Sequence, residues 1–178
     1  MPGALGGDEE RARWLSRFYF GDEGASAEGL RQLVDDEIRR YKALRRTEIQ
    51  LLVDTLRQHP DLARRLDLTM SVDGVGLRTA LAFVIRLPEL GTLDREEAAA
   101  LVGVAPYDDD SGQHQGARHI AGGRARLRKA VYAAALPAAF QWNPTLVSFY
   151  KRLRAAGKPH KLALVAVARK LVIYVNTV

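Results

Sequence analysis

Between residues 28 and 57 apolar side chains recur at three- and four-residue steps: Leu30, Leu33, Val34, Ile38, Tyr41, Leu44, Leu51, Leu52 and Leu56, with charged residues between them. That spacing marks one face of an α-helix. The stretch is long enough for about eight turns at 3.6 residues each. His59-Pro60 ends it, because proline disfavours helix at the residue before it. Ser26 stands where a cap belongs. A helix of this length is either a coiled-coil-like arm that pairs with another helix, including one from a second copy of the chain, or an amphipathic helix laid along a domain. Either way it divides the chain into an arm or short helix over 1–27, the long helix over 28–58, and a domain over 59–178. The first 27 residues are glycine-rich and mixed in charge, with Trp14, Phe18, Tyr19 and Phe20 as their aromatic cluster. They read as a short helix near 8–20 or a flexible arm. Acids near the start, rather than a basic run before an apolar one, do not fit a signal peptide.

Beyond Pro60 the pattern stays helical. A short helix is expected over 61–68, then a turn and an apolar helix over 77–86 that stops at Leu87-Pro88. Asp94 is a plausible N-cap for a helix to Val102, with acids in its first turn as the helix dipole prefers. Residues 103–122 are rich in glycine, and 117–121 reads as a short strand. A long helix over 123–141 follows, with Leu127, Val131, Ala134, Ala135 and Phe140 on one side. Asn143-Pro144 opens a helix to about 155, and Pro159 starts a last one to about 175. The fold class is mainly α, with a helix-hairpin-helix-like element and at most a small β-hairpin around 104–121.

Charge separates the two ends of the chain. The total is +6, from 27 Lys/Arg and 21 Asp/Glu. Residues 101–178 hold 12 Lys/Arg against three Asp, a net +9, and residues 111–178 contain no acid. A polyanion-binding surface is therefore expected in the C-terminal portion. The chain has no cysteine, which excludes disulfides and thiolate metal sites and fits a reducing cytoplasm. No apolar run approaches the ~18 residues needed to span a bilayer.

Three stretches could carry chemistry. In Val72-Asp73-Gly74-Val75-Gly76, the Gly74 and Gly76 pair at a helix junction fits a hairpin whose backbone N–H groups approach a phosphate; the alternative is a plain turn between packed helices. Arg118, His119, Arg124, Arg126, Arg128 and Lys129 cluster around the start of a helix preceded by Gly122-Gly123, which suits phosphates; the alternative is a solvated charged face. In YDDDSGQHQG, Ser111 lies between acids and cations. A serine nucleophile needs exposure, a proton acceptor and cations to hold non-bridging oxygens. The acceptor is open among His114, Asp110 and a group outside the chain, and a turn is the alternative for Ser-Gly. Asp108, Asp109 and Asp110 supply oxygen ligands of the type Mg²⁺ takes, but adjacent acids rarely chelate one ion, and no metal site is assigned.

Gly-Val-Gly with its apolar helix, LPELG (87–91), AALVGVAPYDDDSG (99–112), GARHIAGGRARLRKAVYAAAL (116–136) and NPTLVSFYKRLRAAGKPHKLALVAVARKL (143–171) occur in that order. The arrangement resembles the C-terminal serine-bearing domain of the bridge-RNA-guided insertion-sequence transposases, over about residues 60–175. The resemblance implies that Ser111, in APYDDDSG, forms a covalent phosphoserine link to DNA. It implies nucleic-acid contacts along Arg118 to Arg128, with Gly74 and Gly76 as hairpin glycines, although Asp73 stands where family members usually carry proline. It implies DNA as a partner, a structured guide RNA as a second, and a nucleoid-associated place in a prokaryotic cell. The family's RuvC-like nuclease domain, which holds its Mg²⁺, is expected outside these 178 residues, and the isolated chain is expected to be inactive.

The reading is a transposase or recombinase C-terminal domain that binds nucleic acid and supplies a serine for phosphodiester transesterification. The alternatives are a non-catalytic DNA- or RNA-binding helical module, and a helical adaptor that self-associates through the 28–57 helix without binding nucleic acid.

Overall fold

The computed structural model describes Trp14, Arg17, residues 27–107, 110, 111, 114, 115, 119, 120 and 122–178. The chain forms two compact units, Met1–Leu52 and Val53–Val178. Helix α1, Ala27–Arg57, runs without interruption, one residue earlier than its periodicity predicts. Its proposed cap, Ser26, lies outside the described residues. Trp14 and Arg17 are helical, and the rest of the expected 8–20 helix also lies outside them. Within the first unit, Leu33, Val34, Ile38, Tyr41, Leu44, Leu51 and Leu52 are all exposed.

The second unit is a helical bundle. Helix α2 (Pro60–Met70) starts with Pro60 in its first turn and packs on α3 (Leu77–Arg86). Helix α4 (Arg95–Val102) opens on a capping box: the Glu97 N–H donates to Asp94 at 2.7 Å, and the Asp94 N–H donates to Glu97 at 3.0 Å. These reciprocal bonds satisfy donors that a helix start leaves unpaired; Asp94 is the N-cap that the sequence predicts, and the return bond from Glu97 adds to it. Helices α5 (Ala125–Pro137), α6 (Pro144–Ala155) and α7 (His160–Thr177) complete the bundle. Helix α5 is central and contacts α3, α4 and α7. Phe83, Leu127, Val131, Leu146, Leu164, Val167 and Leu171 fill the core with almost no exposure.

One expectation needs correction. The helix read over 123–141 ends at Pro137 and widens into a π-helical turn, Ala138–Trp142. Pro137 has no N–H to give to the preceding turn, and its ring crowds the carbonyl four residues back. A π-turn is one of the local features found where a helix is broken in this way. Phe140, placed by periodicity on the buried side of that helix, is 54% exposed.

The insert between α4 and α5 contains two short antiparallel ladders. In the outer one β1 (Pro106–Tyr107) pairs with β4 (His119–Ile120); in the inner one β2 (Asp110–Ser111) pairs with β3 (His114–Gln115). The expected 117–121 strand is thus represented by His119–Ile120, its other positions lying outside the described residues.

Candidate nucleic-acid interface

The insert leaves the bundle through a narrow neck. Gly103 ends α4 in the left-handed conformation at φ 81°, a position that favours glycine. Gly123, at φ 64°, comes so close to it that an added Cβ would lie 2.5 Å from the Gly103 Cα and 2.8 Å from the Ala100 carbonyl. Side chains have no room at this crossing. The Arg124 N–H then donates to the Leu101 carbonyl at 2.8 Å. The two ends of the insert are therefore joined at its base, and the outer ladder continues the join.

Ser111 lies in the inner ladder, close to the far end of this hairpin. Its register partner is His114, and Asp110 pairs with Gln115. Asp108, Asp109 and Arg118 lie outside the described residues, and His119 is placed in β4.

At the neck the basic residues divide into two groups. Arg124 is held inward. Its guanidinium meets Glu89 in a bidentate pair, at 2.7 and 2.8 Å, and also donates to the Arg86 carbonyl at 2.7 Å. The hydrogen bonds from Arg124 are the main reason the Glu89 carboxyl is held down to about 2, since a charged partner favours the ionised form. Arg128 donates to the Gly122 carbonyl. Arg126 and Lys129 are exposed. The first turn of α5 has no side-chain cap and no acid.

The hairpin glycines also differ from each other. Gly74, at φ 95°, packs against the π-turn: a Cβ there would sit 2.6 Å from the Ala138 Cβ. Gly76 caps α3 from an extended conformation and faces open space. The loop is tied further by Asn143, whose Nδ2 donates to the Asp73 carbonyl at 3.1 Å while its Oδ1 accepts from the Leu146 N–H at 3.1 Å.

Two residues that sequence reasoning left without a role, Glu89 and Arg65, and one that it read only as a helix start, Asn143, thus build this region. Glu89 anchors Arg124, Asn143 joins the 73–74 loop to α6, and Arg65 donates to the Pro88 and Leu90 carbonyls at 2.6 and 2.8 Å. Glu89 carried one usable signal: it is the sole acid between Asp73 and Asp94. Among the described residues, no group of three or more His, Asp or Glu is placed to hold a metal ion. Nor is any helix among them long and apolar enough to cross a membrane.

The second unit is thus a helical bundle that carries a glycine-necked hairpin beside an acid-free helix start. Residues 66–151, which span the hairpin glycines, the insert and α5, match the model of the Transposase IS116/IS110/IS902 family. The chain is 34% identical over 103 residues to the insertion element IS110 uncharacterized 43.6 kDa protein of Streptomyces coelicolor, covering 56% of this chain and 25% of that relative. It is 27% identical over 115 residues to the pilin gene-inverting protein of Moraxella bovis, covering 63% of this chain and 36% of that one. The chain therefore spans between a quarter and about a third of the curated relatives it matches. Over the matched stretch the chain is therefore similar to insertion-element transposases and to a gene-inverting protein.

Proposed function

We propose that this chain is the serine-bearing part of a DNA transposase, in which Ser111 attacks a DNA phosphodiester while the start of α5 holds the phosphate. The observation that carries the proposal is the hairpin. It sets Ser111 near the tip of an insert whose base is fixed to the first turn of the uncapped, acid-free helix α5.

In the proposed step the Ser111 Oγ bonds to phosphorus and the bond from phosphorus to a deoxyribose oxygen breaks. The serine proton passes to a base, and the departing deoxyribose oxygen takes up a proton. A deoxyribose hydroxyl of another strand later reverses the exchange, so the number of phosphoester bonds is conserved. His114, opposite Ser111 in register, is the proposed base. Exposed Arg126 and Lys129 are the proposed phosphate contacts, and Gly76 offers the open N-terminus of α3 to the same backbone. Arg124 supports them from its Glu89 anchor.

The remaining partners belong to the same proposal. A structured RNA guides site choice, a nuclease domain supplies the Mg²⁺ chemistry, and a second copy covers the exposed stripe of α1. The direct test uses a full-length parent carrying this segment. Denaturing gels of its reaction with labelled DNA should reveal a covalent adduct, and Ser111→Ala should remove the adduct and transposition while sparing DNA binding. Normal transposition by that variant would end the nucleophile assignment and favour a purely binding module.

A further inference from the structure

On the π-turn and the two helices that follow, three rings form one cluster. Phe140 and His160 lie near-parallel, 18° between planes and 6.3 Å between centroids. Tyr150 stands edge-on to both, at 5.1 Å and 72° to Phe140 and at 5.9 Å and 89° to His160. The Tyr150 hydroxyl and the His160 Nδ1 share a hydrogen bond of 2.6 Å. Tyr150 is buried, whereas Phe140 and His160 are exposed.

A buried ring thus fixes two water-facing rings in orientation. Exposed apolar surface of this kind is not explained by packing, because the core beneath is already closed by Leu146 and Leu164. Lys151, Arg154, Lys158 and Lys161 are exposed on the same two helices and the link between them. The turn, both helices and their connection contain no acid; Asp73 meets the turn through its main-chain carbonyl. Oriented ring faces bordered by cations match a polymer with flat apolar groups on an anionic backbone. In duplex DNA those faces are hidden in the stack, so the ligand must be unpaired.

We infer that the Phe140–His160 surface stacks unpaired bases of single-stranded DNA. The inference deepens the strand-transfer reading and rests on it, since exchange of strands exposes such bases. The phosphates that accompany the bases run past Lys158 and Lys161.

The test measures fluorescence anisotropy of the full chain with four labelled ligands: an oligothymidylate of about 12 nucleotides, an abasic strand of equal length, the matching oligouridylate, and a duplex. Wild type should bind oligothymidylate more tightly than the abasic strand. Phe140→Ala should erase that difference, weakening oligothymidylate binding roughly 5- to 150-fold, with abasic and duplex binding unchanged. Phe140→Leu keeps apolar bulk without a ring; it should melt like wild type and bind like Phe140→Ala. Equal wild-type affinity for thymidylate and abasic strands, or wild-type binding by Phe140→Leu, overturns the inference. Tighter binding of oligouridylate overturns it too, giving the surface to RNA. Failure of the duplex arm counts against the strand-transfer reading; failure confined to the base-dependent arm counts against the stacking site alone.

Discussion

Arg124 and Glu89 are 35 positions apart and meet through two parallel hydrogen bonds, so the first turn of α5 is tied to the loop between α3 and α4. The pair gives stability a defined pH dependence. Glu89 is ionised more readily folded than unfolded, about 2 against an ordinary 4.5. Its contribution is therefore fully present above the unfolded value and is lost as pH falls through the folded one. Chemical denaturation of wild type and Glu89→Gln should give a constant stability gap above pH ~5 that closes between 4.5 and about 2. A gap that stays open at the acidic end would show that the pair is not its source. Both side chains are partly exposed, at 33% and 40%, so the gap should be modest.

The same pair separates anchoring from binding among the arginines. Each phosphate neutralised on duplex DNA contributes about 0.9 to the slope of log affinity against log salt. Replacing Arg126 and Lys129 together by alanine should flatten that slope by roughly 2 and leave the melting temperature unchanged. An unaltered slope would remove both from the interface.

Gly74 and Gly76 are two residues apart and should respond differently to alanine. At Gly74 the substitution meets Ala138 at 2.6 Å in a left-handed backbone, and a loss of about 2–4 kcal/mol is expected in urea melts. At Gly76 the Cβ enters open space, and stability should stay within about 0.5 kcal/mol. If the α3 start receives a phosphate, Gly76→Ala weakens duplex binding without that stability cost. If duplex binding is also unchanged, the hairpin is only a packing device.

The exposed stripe of α1 predicts self-association. Ile38 and Leu44 are 44% and 54% exposed, and charges at such positions oppose a coiled-coil seam. Sedimentation should find Ile38→Glu with Leu44→Glu shifted toward the monomer, with the helical content of the second unit retained. Identical mass for wild type and variant would assign the stripe another role.

The helices were largely legible in the sequence because their signals are local. Periodicity marks α1 and α3, Asp94 announces the start of α4, and Asn143-Pro144 opens α6. Pro137 was an equally local signal, but its outcome depends on the packing around it. The bundle tolerates a π-turn there because Ala138 can lie against Gly74. Glu89 was hidden for a different reason: an ion pair over 35 residues leaves no pattern in the chain. Likewise, the list of cations around Arg118–Lys129 was readable, but which of them is already occupied depended on tertiary contacts. Ser111 was singled out by resemblance; its pairing with His114 needed the register of the hairpin.

The crossing of Gly103 and Gly123 has a consequence for how such a chain can change. Because the strands of the insert depart and return at one glycine-lined point, the closure cost is set there. Doubling the enclosed length adds only about 0.6 kcal/mol. Residues 104–121 can thus lengthen, shorten or be exchanged for another hairpin while the helices beneath keep their packing. The insert is an interchangeable part, and new sequences can be tried on it without rebuilding the scaffold.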